Sequence, residues 1–268
     1  MRVHPFAIPS EHGAWALWLG PFLAGWGVAW QSSRALLWTF AAILFAFMAR
    51  HPLMIAVRAF SGRRKREDLR PALAWTFLYG VLAFAGAALL ITLGEARLLL
   101  LAIPALPLLI WQMALVARKE ERQLRIELVG TGVLALAAPA AHIAASGAWT
   151  RTALMLWLLL WIYAAVSIVY VYLRLEQRRL SEAPEIPDRL AMGSTAMRAA
   201  AAALVLAAIG VAARLLPRLA PLPFILLQLQ VIVGTYRPAI GYRPQRVGFA
   251  QVGAMAFFVA LIVLVYRI

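Results

Sequence analysis

The stretch TALMLWLLLWIYAAVSIVYVYL, Thr152–Leu173, carries no charge between Arg151 and Arg174. A run of about twenty apolar residues is long enough to cross a hydrocarbon core of roughly 30 Å. The bilayer offers the backbone no hydrogen-bond partner, so such a run must be helical. Similar runs precede it near Gly13–Trp30, Ala35–Val57, Pro71–Leu93, Leu98–Val116 and Ile126–Ala145, and follow it near Ala199–Ala213, Leu219–Thr235 and Val247–Tyr266. None alternates as a membrane barrel strand does. The pattern predicts an all-α, polytopic membrane helical bundle of about nine transmembrane helices, with residues 1–268 as a single integral membrane domain. The seventh and eighth runs are short, which fits a re-entrant pair or a pair packed against protein. Pro139 predicts a kink in the fifth.

Composition agrees. Of 268 residues, 64% are hydrophobic and only 14% charged, where a soluble chain carries about a quarter. The absence of cysteine excludes disulfides, thiolate catalysis and thiol metal ligands. The first apolar run follows a polar start and leads straight into further spans, so it is expected to stay in the membrane and not to be cleaved as a signal peptide.

The net charge of +15 would suggest nucleic acid in a soluble protein. Here the arginines sit in short loops, where they report topology and contact with anionic headgroups, so no nucleic-acid partner is expected. With nine spans, twenty of the 26 Lys and Arg and ten of the eleven acids fall on one side. That split predicts a multi-pass protein of the cell (inner, cytoplasmic) membrane with its N-terminus cytoplasmic and its C-terminus outside. Two segments on the basic side exceed a tight turn: Arg58–Arg70, with Arg63, Arg64, Lys65 and Arg66, and Arg174–Arg198, broken by Pro184 and Pro187.

Polar residues inside apolar helices mark the candidate ligand-binding positions. Glu11 and His12 open the first span, where Ser10 can cap the helix and Glu11 suits its positive end. Arg50 and His51 interrupt the second span. A charge at helix centre costs about 2.5–3.5 kcal/mol on insertion scales, whereas near the interface an arginine snorkels cheaply. Arg50, Met54 and Arg58 share one face at spacings of four, which fits either an anion contact or snorkelling. Tyr163, Ser167, Tyr170 and Arg174 form one stripe on the sixth span, as a cavity wall or as interhelical hydrogen bonding requires. Glu127 stands just before an apolar run. Arg237 and Arg243 sit in the repeated Tyr-Arg-Pro at Tyr236–Pro238 and Tyr242–Pro244, suited to an anion or to interfacial anchoring. The four histidines lack metal-ligand spacing, and no Walker loop, dinucleotide fingerprint or Gly-x-Ser-x-Gly elbow is present. No catalytic residue follows from these features, and the metal-site expectation is none.

Glu11-His12-Gly13-Ala14-Trp15 resembles the opening signature of the YwiC-like family of bacterial multi-pass membrane proteins. Three later stretches are similar too: Glu120-Glu121-Arg122 with Glu127-Leu128-Val129-Gly130 leading to Ala138-Pro139-Ala140; Tyr170-Val171-Tyr172-Leu173-Arg174; and Ile240-Gly241-Tyr242-Arg243. This resemblance implies topology and no particular activity. Nine spans with long basic-side loops after the second and sixth also resemble UbiA-type intramembrane prenyltransferases. Those hold magnesium and a prenyl diphosphate on Asp-rich motifs at these two places. Only Asp68 and Asp188 occur here, neither in such a motif, and the corresponding ends carry Arg50 and Arg58, then Arg174, Arg178 and Arg179. Arginine binds a diphosphate directly and bidentately, where a carboxylate needs a metal.

The expectation is therefore a UbiA-like bundle binding an anionic lipid or isoprenoid diphosphate from the cytoplasmic leaflet. Arg50, Arg58 and Arg174 would hold the headgroup, Tyr170 would line the cavity, and Glu11 and His12 would close it. No cofactor is expected, magnesium being disfavoured; if the chain is an enzyme, it is a UbiA-like transferase without the usual magnesium motifs. Membrane lipids are the expected partners. Two alternatives stay open: a small-anion transporter, which would carry anion flux lost on replacing Arg50, and an accessory subunit, which would co-purify with a membrane-complex partner.

Overall fold

The computed structural model describes residues 6–8, 12–118 and 124–268, with the side chains of residues 12, 125 and 126 left out. Among these are ten α-helices: α1 His12–Ala29, α2 Arg34–Phe60, α3 Leu69–Thr92, α4 Ala102–Arg118, α5 Leu124–Ala135, α6 Ala137–Ser146, α7 Arg151–Gln177, α8 Ile186–Ala212, α9 Leu222–Tyr236 and α10 Pro244–Arg267. Two 3-10 turns, Arg66–Asp68 and Ala96–Leu101, precede α3 and α4. Seven segments are long and apolar enough to cross a membrane, α5 and α6 counting as one. The shorter apolar helices α1 and α9 complete the bundle.

The break between α5 and α6 has a clear cause. Pro139 has no N–H to give the Ala135 carbonyl, and the Leu136 N–H turns back to the Val133 carbonyl (3.1 Å). The Gly132 carbonyl thereby loses its intrahelical donor. Trp157 Nε1 of α7 takes it at 2.8 Å, and Trp161 Nε1 bonds the Leu128 carbonyl at 2.8 Å. Two tryptophans one turn apart thus fasten the kinked helix to α7.

The expected short seventh span is not short. α8 begins at Ile186 and runs 27 residues, so the expected loop Arg174–Arg198 shrinks to residues 178–185. Pro187 lies in the first turn of α8, where its missing N–H costs nothing and its fixed φ favours the helix. Ser194, Thr195 and Arg198 lower the hydropathy of that turn without breaking it, which is why an apolar-run criterion starts the span late.

α7 is the centre of the bundle. Its buried residues include Ala153, Leu156, Leu160, Tyr163, Ser167, Tyr170 and Gln177, with Leu159, Val166 and Leu173 on an adjoining stripe. Lipid tails are as apolar as leucine, so the helices are held by close packing and polar contacts. α8 buries Gly193, Ala196, Ala200, Ala203 and Ala207, a small-residue seam at three- and four-residue spacing. Between α1 and α6 the approach is closer still: a Cβ on Gly25 would run into the Ala138 backbone. Trp15, Trp18 and Phe22 of α1 pack with Phe40 and Phe47 of α2, with ring centroids 5.0–5.7 Å apart.

Side chains sort the helix ends into two sets at opposite ends of α2. At its start, Ser33 Oγ bonds the Ala144 carbonyl (2.6 Å), Arg97 bonds the Gly147 carbonyl, and Arg267 stacks on Trp30. At its far end, Arg63 donates to the Val116 and Ala117 carbonyls that end α4, and Arg64 lies over the Phe6 ring.

Candidate functional site

A cavity of about 650 Å³ lies among α1, α2, α4, α5, α7 and α10, within the usual size range of small-molecule sites. Most of its wall is apolar, with Leu17, Met54, Leu108, Leu109, Leu134, Ile168 and Met255 among the lining residues. Against that wall stand Arg50, Arg58, Gln112, Glu127, Thr131, Tyr163, Ser167 and Gln251.

Helix geometry orders these groups by depth. Arg58 lies in the last turn of α2, and Glu127 in the first turn of α5, both at the end rich in basic residues. Arg50 precedes Phe60 by ten residues, which puts it about 15 Å deeper at 1.5 Å per residue. Ser167 precedes Gln177 by the same number and reaches a similar depth, with Tyr163 one turn beyond. Because α2 continues to Phe60, Arg50 is further from the helix end than the apolar run alone suggests. It turns toward the cavity: its Nε donates to Gln112 Oε1 at 3.3 Å.

The deep end is closely packed. Tyr163 is buried and stacked on Phe258 with centroids 3.9 Å apart. Its hydroxyl and that of Ser167 are near enough to interact. Neither makes a hydrogen bond of normal geometry among the described residues, and both oxygens are shielded from solvent.

Of the positions expected from sequence, Arg50, Arg58 and Glu127 come together in this cavity. Glu11 lies outside the described residues, and so does the side chain of His12. His51, next to Arg50, is not among the lining residues. Tyr170 and Arg174 are elsewhere: the cavity wall uses Tyr163 and Ser167, whereas one turn further on the stripe meets α9. Arg174 Nη1 bonds the Gly234 carbonyl (2.7 Å), the Arg237 carbonyl (2.7 Å) and Gln177 Oε1 (2.9 Å). Gln177 Nε2 also reaches the Gly234 carbonyl (3.1 Å), and Arg189 Nη1 bonds the Tyr236 carbonyl (3.0 Å). The last carbonyls of a helix have no intrahelical donor, and here two arginines and a glutamine supply one. Tyr170 is buried beneath, with the Arg174 guanidinium 5.8 Å from its ring. Arg237 and Arg243 are exposed. Arg237 enters this cluster through its carbonyl, while Tyr242 lies between Arg174 (5.7 Å) and Arg246 (4.2 Å).

Sequence reasoning passed over Gln112, Thr131 and Gln251. The available signal was a lone amide inside an apolar run, as in Ile110-Trp111-Gln112-Met113 and Phe249-Ala250-Gln251-Val252. No group of three or more His, Asp or Glu side chains placed to hold a metal ion occurs among the described residues.

A family model described as YwiC-like protein matches residues 8–142, half of the chain. The "Uncharacterized protein YwiC" of Bacillus subtilis (strain 168) is 30% identical over 129 residues, 46% of this chain and 48% of that protein. The match thus spans about half the length of this relative. No solved structure matches the chain. The stretch matched by the family model contains Arg50, Arg58, Gln112 and Glu127; Tyr163, Ser167 and Arg174 lie beyond it.

Proposed function

The chain belongs to the YwiC-like family, and from that premise we propose that it binds an anionic amphiphile, a phosphate-bearing lipid or isoprenoid, in the cavity beside α2. The headgroup would engage Arg50 and Arg58 from the basic end, while the tail lies against Leu108, Leu109, Leu134 and Met255. The observation that carries this reading is the placement of Arg50 about two-fifths of the way along α2 from its end, in a mostly apolar cavity. A charge held at such depth is expensive and marks a functional position by default. Arginine suits a phosphate because its planar fork can donate two parallel hydrogen bonds.

Glu127 gives the same end of the cavity a negative group. An amphiphile with a hydroxyl or amine near its phosphate would engage both signs of charge. The basic end is the cytoplasmic one on this reading, as the distribution of Lys and Arg favours. Headgroup recognition through guanidinium groups needs no metal, so magnesium is expected to be dispensable for binding.

Native mass spectrometry of the gently extracted protein tests this. The wild type is expected to carry a phosphate-bearing lipid or isoprenoid, retained in EDTA, with occupancy falling at least about tenfold in Arg50→Gln, the equivalent of one lost charge-assisted bond. An empty wild-type protein, or the same adduct in the variant, would overturn the proposal. An adduct that requires magnesium would overturn its metal-free form.

A further inference from the structure

The cavity is separated from the lipid-facing side of the bundle, along one flank, by a single helix. α4 lines the cavity with Ala105, Leu108, Leu109, Gln112 and Val116, while Ile103, Leu106 and Ile110 on its other face are exposed. The other walls are held more firmly. α10 buries six side chains along its length, and α2 is backed by α3, where Gly86 packs against Ala42. The buried residues of α4 are Leu115 and Val116, both in its last turn.

The two ends of α4 differ. At its start, Pro107 lies inside the helix, so the Ile103 carbonyl lacks its usual donor, and the 3-10 turn Ala96–Leu101 leads in. Such interruptions are where helices bend. Along its second half, two side chains among the described residues fasten it: Arg63 bonds the Val116 and Ala117 carbonyls at the end, and Arg50 bonds Gln112 further in, at 3.3 Å. One of these latches is the same arginine that lines the cavity.

We propose that α4 is a lateral gate through which the anionic amphiphile enters from the bilayer, held shut by Arg63 and by the Arg50–Gln112 bond. This rests on the binding role given to the cavity above, and it narrows the ligand class to one delivered by the membrane. A phosphate reaching Arg50 competes for the guanidinium with Gln112, so headgroup capture releases one latch while Arg63 keeps the other. Gln112 is then a positioning residue: it holds Arg50 toward the gate when the cavity is empty.

The absence of native cysteine makes the test clean. Arg63→Cys with Ala117→Cys, bridged by a cleavable bis-methanethiosulfonate spacer as long as an arginine side chain, would lock the end of α4. Protein stripped of lipid is exposed for timed intervals to phosphatidylcholine vesicles containing phosphatidic acid, and bound phosphatidate is read by native mass spectrometry. A parallel arm supplies inorganic pyrophosphate in solution. The expected result is phosphatidate uptake that stops in the bridged form and returns on reduction, with any pyrophosphate binding unaffected by the bridge. Arg63→Gln, without any bridge, is expected to speed uptake by at least about tenfold, since losing even one of its two charge-assisted bonds represents a population change of that size. Equal uptake by bridged and reduced forms, or no acceleration in Arg63→Gln, overturns the gate and leaves the binding role standing. Failure of every form to retain phosphatidate overturns the binding role and the gate with it.

Discussion

Arg50 and Arg174 share a residue type and a similar sequence setting, each in a long apolar helix on the basic side, yet the structure gives them different work. Arg50 faces a cavity, and the Gln112 side-chain amide is among its partners. Arg174 is committed to backbone carbonyls, two of them at 2.7 Å. A charge-assisted hydrogen bond contributes about 1.5–3 kcal/mol, and leaving its partner unsatisfied costs a comparable amount. Arg174→Gln is therefore expected to lower thermal stability in detergent by several degrees while leaving the bound adduct in place. Arg50→Gln should lose the adduct. Loss of the adduct in Arg174→Gln at unchanged stability would move Arg174 back into the site. The sequence made both arginines visible, along with Arg58, Glu127 and the Tyr163–Arg174 stripe, because each departs from an apolar background. Spacing places residues on one helix face; it does not tell whether that face meets a cavity or a neighbouring helix end. That depends on α9, which is distant in the chain, so Tyr170 and Arg174 could not be separated from Tyr163 and Ser167 in advance. Gln112 and Gln251 were harder to see, since one neutral amide in a membrane helix is a weak signal.

At the level of helices, most of what was legible came from length and from proline. Pro139 broke the fifth span as expected, and its consequence, an orphaned Gly132 carbonyl taken by Trp157, needed the neighbouring helix to be seen. Pro187 misled in the opposite direction: it opens α8 where a loop was expected, because proline is tolerated in the first turn. Close packing was not legible at all, since a glycine at a helix contact and one facing lipid look alike in the chain. Gly25 and Gly80 make the contrast. A Cβ at Gly25 meets the Ala138 backbone, which cannot swing aside as a side chain could; a Cβ at Gly80 of α3 meets nothing within 4 Å. Gly25→Ala is expected to destabilise by about 3 kcal/mol, the upper part of the overpacking range. Gly80→Ala should stabilise by about 0.5–1 kcal/mol through helix propensity. Melting curves in one detergent compare them directly, and equal shifts would refute the close approach of α1 to α6.

For the molecule as a whole, the arginines do two jobs that a count alone cannot separate. Their sidedness sets the expected orientation, and the structure shows that several also close helix ends: Arg63 at α4, Arg174 and Arg189 at α9, and Arg97 at the end of α6 on the opposite side. Capping explains individual arginines on both sides; it does not explain the one-sided distribution that the nine-span reading of the sequence expects, twenty of the 26 Lys and Arg. The residual bias is what orientation requires, because anionic lipid and the membrane potential hold basic loops in the cytoplasm. The contacts that gather Ser33, Arg97, Gly147 and Arg267 at one end of α2, and Phe6, Arg63 and Arg64 at the other, fix which loops must share a side. Single cysteines placed in this cysteine-free chain therefore test orientation and parity together. Ser32→Cys and Ala148→Cys are expected to react with a membrane-impermeant maleimide on intact cells, and Ser61→Cys and Ser181→Cys only after permeabilisation. The opposite pattern would invert the orientation and put the arginine-lined cavity toward the outer leaflet, where the anionic ligand would have to be sought. Reaction of one member from each pair would break the shared-side contacts and, with them, the assignment of Arg50 and Glu127 to one cavity.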